Sequence, residues 1–197
     1  MTQETFSLLK EMDINAAETQ ILLRCAPLIA GVKVSNLLII KKVQENDVRQ
    51  LFEREAIKYA CVTLYRDREC SVLLLYRKRE LGLYFTAGNV KKMLYREGYR
   101  DFELQALLDT FAARFTSFRE KQGYFPHEMG LFLGYPPEDV KGFIENKGRH
   151  ALCAGYWKVY QNPAEKQRLF RGFDRAKEGL IRLAASGMCM EDMLKYG

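Results

Sequence analysis

At 197 residues the chain is near the upper end for one compact domain and short for two. Its 48% hydrophobic and 28% charged residues give the ordinary globular balance, which excludes a disordered chain. The net charge of +6 is spread thinly: residues 1–60 carry eight basic and eight acidic side chains, 61–136 twelve and nine, and 137–197 eleven and eight. A nucleic-acid binder concentrates such an excess on one stripe, so nucleic acid ranks behind a small-molecule ligand or a protein partner.

In chain order, residues 4–12 read as a helix with Phe6, Leu9 and Met12 on one side. A second helix is expected over 14–24, opened by Asp13 as N-cap and stopped near Cys25-Ala26-Pro27, because proline disfavours helical geometry in the residue before it. Residues 34–40 read as a strand. Residues 47–60 read as an amphipathic helix with Val48, Leu51, Phe52, Ala56 and Tyr59 on one face. The β-rich segments 61–65 and 71–76, separated by Arg66-Asp67-Arg68-Glu69, predict a hairpin. The basic residues at its ends (Arg66, Arg68, Arg77, Lys78 and Arg79) read as charge protecting a sheet edge.

Residues 89–97 predict a helix capped by Gly98. The stripe Leu104, Leu107, Leu108, Phe111, Phe115 and Phe118 predicts a core-facing helix over 101–120. Residues 129–133 read as a buried strand. Pro136 and Pro137 open a helix running to about Asn146, closed by Gly148. Residues 155–160 read as another strand. Asn162-Pro163 begins a helix carrying Phe170, Phe173, Ala176, Leu180 and Ala184 on one face, and a short helix at 190–195 ends the chain. The expected fold is mixed α/β (α+β). It has one globular domain over 1–197 and a single mixed sheet of about five strands, with a central antiparallel hairpin, a parallel crossover between 129 and 160, and helices packed on the sheet.

The apolar runs 37–40 and 72–76 are too short to cross a bilayer. The start Met1-Thr2-Gln3-Glu4 lacks the basic-then-apolar pattern of a signal peptide, so a cytoplasmic location without membrane association is expected. The cysteines Cys25, Cys61, Cys70, Cys153 and Cys189 are odd in number and widely spaced, without zinc or redox-dithiol spacing, and read as free thiols. No Walker loop or dinucleotide glycine fingerprint occurs, so no cofactor is indicated.

Three stretches are distinctive. One runs through 125–144 and begins Phe125-Pro126-His127-Glu128. A second is Gly155-Tyr156-Trp157-Lys158-Val159-Tyr160. The third is Cys25-Ala26-Pro27 followed by Ala30-Gly31-Val32-Lys33. Together they resemble a family of bacterial proteins, chiefly from clostridia and their relatives, defined as domain of unknown function 3793. The family pattern has a Cys-Ala-Pro start, a Phe-Pro-His-Glu box and a Gly-Tyr-Trp-Lys-Val-Tyr strand, and this chain carries all three. It departs after Lys33, where Val34-Ser35 stands in place of the frequent proline and alanine. The resemblance implies an intracellular protein of a low-oxygen organism and supplies no activity.

The residues themselves offer candidates for chemistry. His127, one of two histidines, precedes the expected strand at 129 and is placed at a sheet rim; Glu128 beside it points to the opposite face if the strand begins there. Cys25 gains thiolate character if a helix starts at Pro27 and loses it if one ends at Cys25. Cys25 with His127 is the nucleophile–base pair this chain offers for acyl transfer or hydrolysis, oriented by Glu128 or Asn36; the alternative is a buried structural thiol, and Cys153 is a substitute nucleophile.

The loop 134–139, with Tyr135, Pro136, Pro137, Glu138 and Asp139, lacks N–H groups for a phosphate and suits a cation or amine better, or is plain capping. Tyr156, Lys158 and Tyr160 share one face of the last strand and suit a planar ligand, opposite Gly155, Trp157 and Val159 as core. A metal site would have to combine His127, Glu128, Cys25 and Cys153 from three separate segments, so no metal is assigned, and Met188, Cys189, Met190 and Met193 read as core filling, with soft-metal binding as the alternative. Two functional expectations follow: a small-ligand-binding or Cys/His-dependent protein with a pocket near His127, Tyr135, Tyr156 and Lys158, or a non-catalytic module binding a protein partner through the loop 134–139 and the strand 155–160.

Overall fold

A computed structural model describes residues 2–54 and 58–196. The element order is α1 (Gln3–Lys10), α2 (Ala17–Ile29), β1 (Ser35–Lys41), α3 (Glu45–Arg54), β2 (Tyr59–Arg66), β3 (Cys70–Arg77), α4 (Lys78–Thr86), α5 (Gly88–Arg96), α6 (Leu104–Arg119), α7 (Met129–Phe132), α8 (Pro137–Glu145), β4 (Cys153–Ala154), β5 (Lys158–Val159), α9 (Pro163–Ala185) and α10 (Met190–Tyr196). The chain divides into two compact units, one of residues 2–78 and 171–196 and the other of residues 79–170. Among the described residues no helix is long and apolar enough to cross a membrane.

The mixed α+β class is as expected, but there is no single five-stranded sheet. The first unit holds a three-stranded sheet in the order β1-β3-β2, all antiparallel, with Leu38 opposite Leu73 and Val62 opposite Leu74. The expected hairpin is β2–β3, and an irregularity between Thr63 and Tyr65 shifts its register. Alternate residues of the sheet, including Leu38, Ile40, Leu73 and Leu75, pack with Ile21, Leu28 and Ile29 of α2 and Val48 and Phe52 of α3. Met190, Met193 and Leu194 of α10 join this core, so the C-terminal methionines are filling.

Two local expectations for this unit are corrected. Asp13 does not cap α2; its Oδ1 accepts from the Asn15 N–H at 2.9 Å in a turn ahead of the helix. Nor does α2 stop before Pro27, which lies inside it. Proline there removes a hydrogen bond at a cost of about 3 kcal/mol. Burial of Leu28 and Ile29 beyond it contributes a comparable amount, at about 1.5–3 kcal/mol per side chain. The helix α3 ends at Arg54 and Tyr59 begins β2, so Tyr59 is not on that helix; Ala56 lies outside the described residues.

Glu45, the first residue of α3, is buried and anchors that helix to the sheet. Its carboxylate accepts from Arg66 Nε at 2.7 Å, Ser71 Oγ at 2.7 Å, Thr63 Oγ1 at 2.9 Å and Arg49 Nε at 3.0 Å. The Arg66 hydrogen bonds, foremost, hold this carboxyl well below the usual range; burial alone would raise it.

The second unit is mainly helical. Leu107, Leu108, Phe111 and Phe115 are the buried stripe of α6, and Phe111 stacks on Phe132 at 4.1 Å between ring centres. Phe85 of α4 and Tyr99 flank the same Phe132 ring. The buried strand expected at 129–133 is instead the single helical turn α7, so the expected parallel crossover is absent among the described residues. Five apolar or small residues in a row carry no period that separates the two states. Of the expected strand 155–160, only Lys158–Val159 is extended, paired antiparallel with β4. The helix at Pro163 begins where expected, but Asn162 has φ +49° and its carbonyl accepts from the Glu165 and Lys166 N–H groups.

Candidate functional site

The candidate site lies in the second unit, where the turn of the β4–β5 hairpin faces the segment running from Phe125 into α8. Asp139, in the first turn of α8, is 1% exposed. Its Oδ2 accepts from Trp157 Nε1 at 2.8 Å, and its Oδ1 accepts from the Tyr160 and Gln161 N–H groups at 2.7 and 3.1 Å. One carboxylate thereby fixes the indole and the strand behind it. Glu138 beside it pairs with the buried Lys166 at 2.7 Å. The acidic pair of loop 134–139 is thus engaged within the protein.

Close packing completes the arrangement. Tyr135 stacks on Trp157 with ring centres 4.7 Å apart, and Phe170 meets the indole edge-on at 4.6 Å. A Cβ on Gly155 would lie 2.4 Å from the Phe170 ring, and one on Gly142 would lie 2.4 Å from Tyr160 Cγ. Glycine at both places lets the hairpin seat on its helices. Tyr84 donates from its hydroxyl to the Tyr135 carbonyl at 2.6 Å, which holds the loop, and burial raises the Tyr135 phenol.

These elements enclose a pocket of about 270 Å³. Its rings come from Phe125, His127, Tyr135, Phe143, Tyr156 and Trp157, with Met129 and Val140 as aliphatic filling. The His127 ring lies 5.2 Å from Phe125 and 5.9 Å from Phe143. Lys158 is the cation of the lining; its Nζ donates to the Gly148 carbonyl at 2.7 Å and lies 6.0 Å from the centre of the Phe143 ring. His127, Tyr135, Tyr156 and Lys158 are therefore together. His127 sits not at a strand rim but in the loop ahead of α7, exposed to solvent.

Phe125 and His127 also line a second hollow of about 390 Å³, with Glu97, Arg114, Tyr124 and Glu128. Glu128 is 1% exposed. Its Oε1 accepts from Tyr99 Oη and pairs with Arg114 Nε, both at 3.1 Å. Its Oε2 is buried with no hydrogen-bond partner among the described residues. Burial raises this carboxyl, with its own backbone N–H and then Arg114 acting in the opposite sense.

Cys25 belongs to the first unit, whereas every residue lining the two hollows belongs to the second. The thiol is 0% exposed inside α2, neither at a helix N-terminus nor at the helix end. Burial pushes it up to about 12, although Lys33 and a hydrogen bond with Asn36 favour its thiolate. Lys33 is itself buried and lowered to about 8, and its Nζ donates to Asn36 Oδ1 at 2.7 Å. The structure gathers Cys25, Asn36 and Lys33 in one unit and His127 with Glu128 in the other. Among the described residues no group of three or more His, Cys, Asp and Glu is placed to hold a metal ion.

Residues 21–194 match the family described as Protein of unknown function (DUF3793). The chain belongs to that family. No curated protein and no solved structure matches it. Within the matched span fall the residues of both hollows and of the Cys25–Asn36–Lys33 cluster.

Sequence reasoning passed over Phe125, Phe143 and Arg114. Phe125 and Phe143 lie in segments read for capping and strand placement, and Arg114 is one polar residue among several on α6. Asp139 is legible in the sequence as a residue complementing a helix N-terminus or as half of an acidic pair suited to a cation or amine; its indole partner Trp157 is 18 residues away along the chain.

Proposed function

We propose that this protein binds a small, planar, largely apolar ligand in the pocket between α8 and the β4–β5 hairpin. The observation that carries the reading is the convergence of six aromatic rings, His127 included, on one hollow whose indole wall is locked by a buried carboxylate. Preformed walls of this kind take a ligand without a cost for ordering them. The volume of about 270 Å³ exceeds the roughly 150 Å³ of a dry cavity that holds benzene, and so suits one ring with a short substituent. His127, Lys158, Asp139 and the phenols Tyr135 and Tyr156 are the polar residues of that lining.

A binding role fits the chemistry better than thiol catalysis. A nucleophilic thiol needs solvent access and a lowered pKa. Cys25 has neither, and it lines neither hollow. Trp157 is the only tryptophan of the chain and forms part of the pocket wall, so the protein carries its own reporter. Titration with phenethyl alcohol should change Trp157 emission saturably, and Phe143→Ala should weaken that response at least fivefold. A linear, non-saturating response to single-ring compounds, indistinguishable from that of free tryptophan, would refute the reading.

A further inference from the structure

Two carboxylates, Glu97 and Glu128, line the second hollow against one guanidinium, Arg114. That guanidinium is committed: it pairs with Glu128 Oε1 and donates to the Glu97 carbonyl at 2.6 Å. The Oε2 atom of Glu128 is left buried and without a donor among the described residues. A buried acceptor of this kind costs free energy unless a donor reaches it, and such atoms are rare enough in folded proteins to need an explanation. The rim of the hollow is aromatic. Tyr124, 99% exposed, and Phe125 belong to its lining, and the face of an aromatic ring attracts a cation. Phe125 and His127 line both hollows, so the two abut.

We propose that the ligand is a ring-bearing primary amine, its ring in the first pocket and its ammonium group in the second hollow, donating to Glu128 Oε2. This rests on the reading of the first pocket and adds the charge and class of the ligand. An ammonium group brings three donors and one positive charge. It meets the unused carboxylate oxygen, the second carboxylate of Glu97 and the aromatic rim. A carboxylate or phosphate in the same place would face Glu97 and Glu128.

The test compares three probes that share one ring: phenethylamine, phenethyl alcohol and hydrocinnamate, each titrated into the full chain at neutral pH. Trp157 emission reports the first pocket. The imidazole resonances report the lining that the two hollows share, which includes His127; only His127 and His150 contribute them. The expected order is amine tighter than alcohol by at least tenfold, with hydrocinnamate the weakest. Glu128→Gln should remove the advantage of the amine over the alcohol. Glu97→Gln, at a half-buried residue, should reduce that advantage several-fold and serves as the readout if the Glu128 variant does not fold. Equal affinity for amine and alcohol, or preference for the carboxylate, overturns the amine assignment while the ring pocket stands. Failure of all three probes to bind overturns both.

Discussion

Replacement of Asp139 by asparagine tests the structural core of the site. The carboxylate accepts from the Trp157 indole on one oxygen and from two backbone N–H groups on the other. Asparagine keeps the shape and one acceptor. Whichever way the amide turns, its NH₂ faces a donor. If it faces the indole, one charge-assisted hydrogen bond is lost, worth about 1.5–3 kcal/mol, and an indole N–H is left buried at a further cost of about 1–3 kcal/mol. Repulsion between donors is partly relieved by small shifts, so a net loss of about 3 kcal/mol is expected. Asp139→Ala removes all three acceptances and should cost more. The assay is urea denaturation followed by Trp157 fluorescence, with the slope of the transition checked for constancy. A loss below about 0.5 kcal/mol, with unchanged emission of the native state, would refute the claim that this carboxylate locks the pocket wall.

Further outcomes follow from the same geometry. Glu45 is held ionised by Arg66, Ser71, Thr63 and Arg49, so its folded-state pKa lies below the unfolded value of about 4.3. Its contribution is therefore full above that value and lost as pH falls through the folded-state pKa. Glu45→Gln should cost about 2 kcal/mol at pH 7, with the difference from wild type shrinking in thermal melts taken towards pH 3. Cys25 should react with an aromatic disulfide reagent only at the rate of unfolding, while the exposed Cys189 reacts at once; fast labelling of Cys25 in Cys25-only protein would contradict its burial. Gly155→Ala would set a Cβ 2.4 Å from the Phe170 ring and should destabilise by about 1–3 kcal/mol, with a shift in Trp157 emission.

The elements with long periodic stripes were legible from sequence: α6 through Leu107, Leu108, Phe111 and Phe115, and the β2–β3 hairpin through its β-formers and charged turn. The failures have physical causes. Pro27 marks a helix end by local rules, but tertiary packing of Leu28 and Ile29 carries the helix through it. The run from Met129 to Leu133 is apolar without a period, and a helical turn begins there, with the Leu131 and Phe132 N–H groups donating to the Glu128 carbonyl. The expected crossover depended on that strand and fell with it. For the site, alternation along 155–160 is followed only in part: Trp157 and Val159 are buried and Lys158 is exposed, but Gly155 is exposed too, Trp157 lines the same pocket as Tyr156 and Lys158, and Tyr160 does not line it. No local signal could join Trp157 to Asp139 or Glu128 to Arg114, because such pairs are set by how the helices of the second unit pack.

The pocket is the claim on which the functional account stands, and the indole N–H resonance of Trp157 reports on it directly. On addition of phenethyl alcohol that single resonance and the ring protons of His127 should shift together along one saturation curve, with His150 unmoved. Unchanged Trp157 and His127 signals across the whole titration, in folded protein, would contradict a ligand site between α8 and the hairpin.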